Sequence, residues 1–93
     1  MPVCDPNLER LERLLPQAAE LLSKIHETIW ADRCVSAVRD ARRGVLSFVP
    51  QLWSFFAPTC EWDDLIGNEG VEIGSQIFDA LDAIGERHNL RPR

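Results

Sequence analysis

Residues 6–30, PNLERLERLLPQAAELLSKIHETIW, decide the fold. Leu8, Leu11, Leu15, Ala18, Leu22, Ile25 and Ile29 recur at alternating intervals of three and four, and Leu14 and Leu21 widen one edge of the stripe. That spacing keeps returning to one face of an α-helix, so the stretch reads as an amphipathic helix that must bury its stripe against other helices. Asp5 and Pro6 supply the start, a carboxylate N-cap followed by a proline whose missing N–H costs nothing at the first helical position. Pro16 interrupts the run, because its ring clashes with the carbonyl of Glu12 and disfavours helical geometry at Leu15. The stripe crosses Pro16 without a slip and Pro16 lies off it, which predicts one kinked helix over about 6–30.

Outward from that helix the theme repeats. The phase changes at Ala31 to Arg33, where Asp32 can cap a second helix over about 33–49 carrying Cys34, Val38, Ala41, Val45 and Phe48. Gly44 lies inside it, as a close helix crossing or as a weak spot. With no Gly or Pro at 30–33, one long bent helix is the alternative. Pro50 and Pro58 bracket a short segment, after which Thr59 can cap a brief helix with Glu61, Asp63 and Asp64 in its first turn, ending at Gly67. The last helix is expected over 71–88, with Ile73, Ile77, Leu81 and Ile84 inside, Phe78 beside them, and Asp79, Asp82 and Glu86 outside.

The expected architecture is therefore all-α. It is a small three- to four-helix bundle with a kinked N-terminal amphipathic helix, one domain over 1–93, with 1–5 and 89–93 flexible. A first helix of about 35 Å exceeds a last helix of about 25 Å at 1.5 Å per residue. A chain this short buries only about 60–65% of its unfolded surface. A homodimer sharing the first helix is the expected remedy.

The net charge of −5 hides an asymmetry: residues 1–49 balance seven acids against seven bases, whereas residues 50–86 hold eight acids and no base. An acidic half repels phosphate backbones and attracts basic surfaces, so nucleic acid is disfavoured as a partner and a basic protein surface is favoured. No apolar run is long enough to span a membrane, and the N-terminus has neither a basic nor an apolar leader region, which suggests a cytoplasmic chain. Arginine outnumbers lysine nine to one, a usage typical of GC-rich coding and so of a bacterial or phage source.

Little in the chain resembles chemistry. His26 and His88 stand far apart outside any metal-ligand spacing, and Glu61, Asp63 and Asp64 are broken up by Trp62 and Leu65, so no metal and no cofactor is expected. Cys4, Cys34 and Cys60 show no paired spacing; Cys34 falls on the apolar stripe, where an inert thiol is the default. No nucleophile motif is present, and Gly74-Ser75 reads as a helix cap. An enzyme is not expected. Arg39, Arg42 and Arg43 form the one basic cluster, which pairing with the acidic half explains more simply than DNA reading.

The aromatic segment is the functional candidate. Trp53, Phe55, Phe56 and Trp62 fall within ten residues, in a segment too short to bury all four rings on one face. Some rings must therefore be core and others candidates for exposure, and exposed aromatics are typical interface anchors. The competing role is a lid completing the core. The reading is a small non-catalytic regulator that blocks or escorts a partner protein, such as an inhibitor or antiactivator of a transcription regulator, through Leu14, Leu21, Trp53, Phe55, Phe56 and Trp62. The partner would offer an apolar surface with a basic rim. The alternatives are an acidic DNA mimic, an arginine-helix DNA binder, and an accessory subunit of an enzyme.

Overall fold

A computed structural model describes residues 6–57 and 61–90. In chain order the elements are α1 (Pro6–Lys24), α2 (Thr28–Arg42), α3 (Val49–Phe56), α4 (Glu61–Ile66), a 3-10 turn over Gly67–Gly70, and α5 (Val71–His88). The described residues are overwhelmingly helical and include no strand. Helix α1 packs against both α2 and α5, α3 lies on α5, and α4 closes the end between α3 and α5.

The stripe of α1 behaves as its spacing requires from Leu8 to Leu22. Leu11, Leu15, Ala18 and Leu22 are wholly buried, facing a core that includes Cys34 of α2 and Ile77, Leu81 and Ile84 of α5. The helix runs through Pro16, which is exposed on the opposite side. Leu14 and Leu21 are half-buried against the same core. One chain thus covers the apolar stripe of α1 by itself.

The stripe does not continue to residue 30. The chain reverses at Ile25–Glu27: the His26 N–H donates to the Ser23 carbonyl at 3.1 Å and the Glu27 N–H to the Leu22 carbonyl at 2.9 Å. This pair of bonds is a Schellman closure, with His26 in the left-handed region at φ 65°. Ile25 is therefore exposed, and Ile29, at 66% exposure, is the most exposed large apolar residue described. Helix α2 begins at Thr28, so Asp32 is not its cap and the single long helix does not occur.

Helix α2 ends earlier than its spacing predicts, and by the same device. The Gly44 N–H donates to the Ala41 carbonyl at 3.1 Å, the Val45 N–H to the Asp40 carbonyl at 2.8 Å, and Gly44 sits at φ 74°. Gly44 is a helix terminator and not a crossing point; Val45 is exposed, while Phe48 is buried at the start of α3. Ala31, Cys34, Ala37, Val38 and Ala41, mostly small side chains, make the buried face of α2. Pro50 lies in the first turn of α3 and so starts a helix where the sequence suggests a stop.

Helix α5 has the predicted bounds, with Ile77, Leu81 and Ile84 buried and Ile73 and Phe78 half-buried. At its end Asn89 is left-handed at φ 57°, the Leu90 N–H donates to the Gly85 carbonyl at 2.8 Å, and Leu90 packs on the core. The N-cap at Asp5, the cap at Thr59, Cys4, Cys60 and the remaining terminal residues lie outside the described residues.

Candidate protein-docking cleft

The aromatic segment divides sharply. Trp62 is 1% exposed, Phe55 2% and Phe56 3%, so these three do not form an exposed cluster. Phe55 stacks on Trp30 with centroids 3.9 Å apart, and meets Phe56 and Trp62 edge-on at 5.0 and 6.2 Å. The three rings complete the core, the lid role weighed against exposure. Three of the four rings are buried together because Trp62 arrives on a separate helix, α4. The neighbouring backbone also has no side chains in its way: the Trp62 Nε1–H donates to the Gly70 carbonyl at 2.9 Å, and a Cβ on Gly74 would overlap the indole.

Trp53 alone of the four keeps an intermediate position. Its Nε1–H donates to Asp82 Oδ1 at 3.0 Å, and its ring lies 5.2 Å from Phe78. Asp82, expected on the solvent side, is thereby half-buried beside α3. Leu14 lines a shallow basic hollow with Arg10, Arg13, Gln17 and Gln76. The structure does not bring Leu14, Leu21 and Trp53 into one described cavity.

It does assemble a different surface, which sequence reasoning missed. Val71, Gly74, Ser75, Phe78 and Asp79 recur on α5 at the spacing of one helical face, and with Phe56 from α3 and Asp63 from α4 they line a cleft of about 330 Å³. Its floor and walls are Phe56, Gly74, Phe78 and Val71, the last 52% exposed; its polar groups are Asp63, Ser75 and Asp79. The volume falls at the lower end of the range for small-ligand sites, room for one or two amino-acid side chains. The one signal in the sequence was the eight-residue interval from Val71 to Asp79 with Phe78 between them. It was masked by the stronger stripe of Ile73, Ile77, Leu81 and Ile84.

A second hollow of about 430 Å³ lies between α2 and α3, lined by residues that include Ile29, Asp32, Arg33, Asp40, Phe48 and Leu52. The arginine cluster beside it pairs locally. Arg43 contacts Asp40 at 2.7 Å, Arg42 contacts Glu12 of α1 at 3.3 Å, and the Arg33 guanidinium lies 4.6 Å from the Trp30 ring centroid. These pairs lie in the N-terminal half and do not join it to the acidic C-terminal half.

Burial pushes the Cys34 thiol up from its ordinary value of 9.0 to about 12, which keeps it protonated and unreactive at neutral pH. Among the described residues no group of three or more His, Cys, Asp or Glu is placed to hold a metal ion. No helix among them is long and apolar enough to cross a membrane. The chain matches no known family, no curated protein and no solved structure, so a functional reading rests on its own residues.

Proposed function

We propose that this protein is a small non-catalytic regulator that binds a partner protein and blocks or escorts it. The observation that supports this reading is the cleft of α3, α4 and α5: an apolar floor of Phe56, Gly74 and Phe78 with the half-exposed Val71 at its edge. Apolar side chains grouped on a concave, acid-edged surface are the ordinary makings of an interface anchor site. Contact residues are therefore sought at Val71, Ser75, Phe78 and Asp79, with Trp53, whose ring lies 5.2 Å from Phe78, and Leu14, in a separate hollow, as further candidates.

The test is capture from lysate of the source cells with three baits: the native chain, Val71→Glu and Ser75→Arg. Both substitutions are at exposed positions, so the fold survives them and only the cleft changes. A protein retained in stoichiometric amount by the native chain and lost from both variants supports the reading. Equal retention by all three baits refutes the cleft as the contact surface, and recovery of the chain with no partner refutes the reading.

A further inference from the structure

Helix α2 packs on α1 through its small-residue face of Ala31, Cys34, Ala37, Val38 and Ala41. On the opposite side Thr28, Asp32, Val35 and Arg39 recur at intervals of four, three and four, and all four are exposed. Five large apolar residues are exposed among the described residues, and four of them, Ile25, Ile29, Val35 and Val45, belong to α2 or to the turns at its two ends. Ile25 and Val45 stand ten residues to either side of Val35. The apolar contacts this surface offers are thus arranged about its own midpoint.

The charges choose the occupant and its direction. Asp32 and Arg39 lie about 10 Å apart along the helix axis at 1.5 Å per residue. Neither side chain has an ion pair or hydrogen bond among the described residues, whereas Arg42 is held by Glu12, Arg43 by Asp40, and Arg33 lies over the Trp30 ring. Parallel pairing of two such helices would set Asp32 against Asp32 and Arg39 against Arg39. Antiparallel pairing sets each Asp32 against Arg39 of the second copy, twice over, because a two-fold axis repeats every contact. The same axis brings Val35 to Val35 of the second copy and Ile25 toward Val45 at both ends. From this self-complementarity of charge and apolar placement we infer that the outward face of α2 is the contact between two copies of this chain, laid antiparallel about Val35. The inference is independent of the cleft on α3, α4 and α5, which such a pairing leaves open.

The test is sedimentation equilibrium of the full chain from about 1 μM to 1 mM, the range of weak to moderate affinities. The expected result is a reversible monomer–dimer equilibrium that weakens as salt is raised. Arg39→Asp, which sets acid against acid twice, should weaken the dimer by about tenfold or more, and so should Asp32→Arg. The double variant, Asp32→Arg with Arg39→Asp, restores unlike pairing and should regain most of that loss, which no merely local effect of either substitution would do. Both positions are exposed, so the helicity of the variants by circular dichroism should match the native chain. Direction is read with a short thiol-to-thiol cross-linker in a Cys4→Ser and Cys60→Ser background, where buried Cys34 stays silent. Thr28→Cys should not couple to itself and should couple to Arg43→Cys when the two variants are mixed. A chain that is monomeric at every concentration overturns the inference. So does a dimer indifferent to Val35→Glu and to both charge reversals, which would place the contact on another face, and so does self-coupling of Thr28→Cys, the mark of parallel helices. None of these outcomes touches the cleft, which the capture experiment judges.

Discussion

The indole N–H of Trp62 donates to the backbone carbonyl of Gly70 at 2.9 Å, and the ring lies where a Cβ on either Gly70 or Gly74 would stand. A large side chain on a six-residue helix is thereby set into the start of α5, with its one polar atom satisfied inside the core. The contact ties α4, the 3-10 turn and α5 into one unit and places Asp63, one residue further on, at the cleft.

Gly74→Ala should destabilise the protein. Replacing glycine inside a helix ordinarily gains up to about 1 kcal/mol, but here the added methyl meets the indole, and overpacking a core typically costs about 1–3 kcal/mol. Urea unfolding decides between the two effects. A Gly74→Ala variant more stable than the native chain would show that Trp62 yields without cost.

Two of the left-handed helix ends, at Gly44 and His26, should respond in opposite directions. Gly44 has open space around its Cα, so Gly44→Ala costs about 1 kcal/mol purely through backbone strain. His26 already bears that strain at φ 65°, so His26→Gly should stabilise by up to about 1 kcal/mol. Thermal melts of both variants check the pair; a loss of stability in His26→Gly would contradict the assignment.

Removing the acceptor of Trp53 should loosen α3 from α5. Asp82→Ala leaves the half-buried indole N–H without its carboxylate and should cost about 1–2 kcal/mol, whereas Asp82→Asn retains a side-chain oxygen and should cost less than half as much. Denaturant midpoints measure both, and equal losses would mean that the bond contributes nothing specific.

Cys34 should make the protein less stable in alkali. Its thiol stays protonated to about 12 in the folded chain, while in the unfolded chain it ionises near its ordinary 9.0. The folded state therefore binds more protons between those values. The stabilisation is complete below pH 9 and is lost as pH rises toward 12, by up to about 4 kcal/mol. Cys34→Ala should flatten that slope. In a background of Cys4→Ser and Cys60→Ser, a thiol reagent at neutral pH should modify the native protein only at the rate of unfolding; rapid labelling would refute the burial.

The sequence by itself determined that the chain is helical, that Leu8 to Leu22 face inward and that the last helix spans Val71–His88. These are local facts, since an amphipathic spacing states which face of a helix must be covered. Where the first two helices part was not legible, because a histidine terminates α1 in a conformation that glycine usually signals. At Gly44 the signal was present, a glycine after two arginines, but the apolar spacing to Val45 and Phe48 outweighed it. Only the tertiary structure decided which rings see solvent. Whether Trp62 can be buried depends on two glycines eight and twelve residues later having no side chain in its place, and the cleft depends on Phe56, Asp63 and α5 meeting in space. A hydrophobic pattern specifies that a face needs a partner. Which atoms fill that need is settled by steric fit among residues distant in the chain.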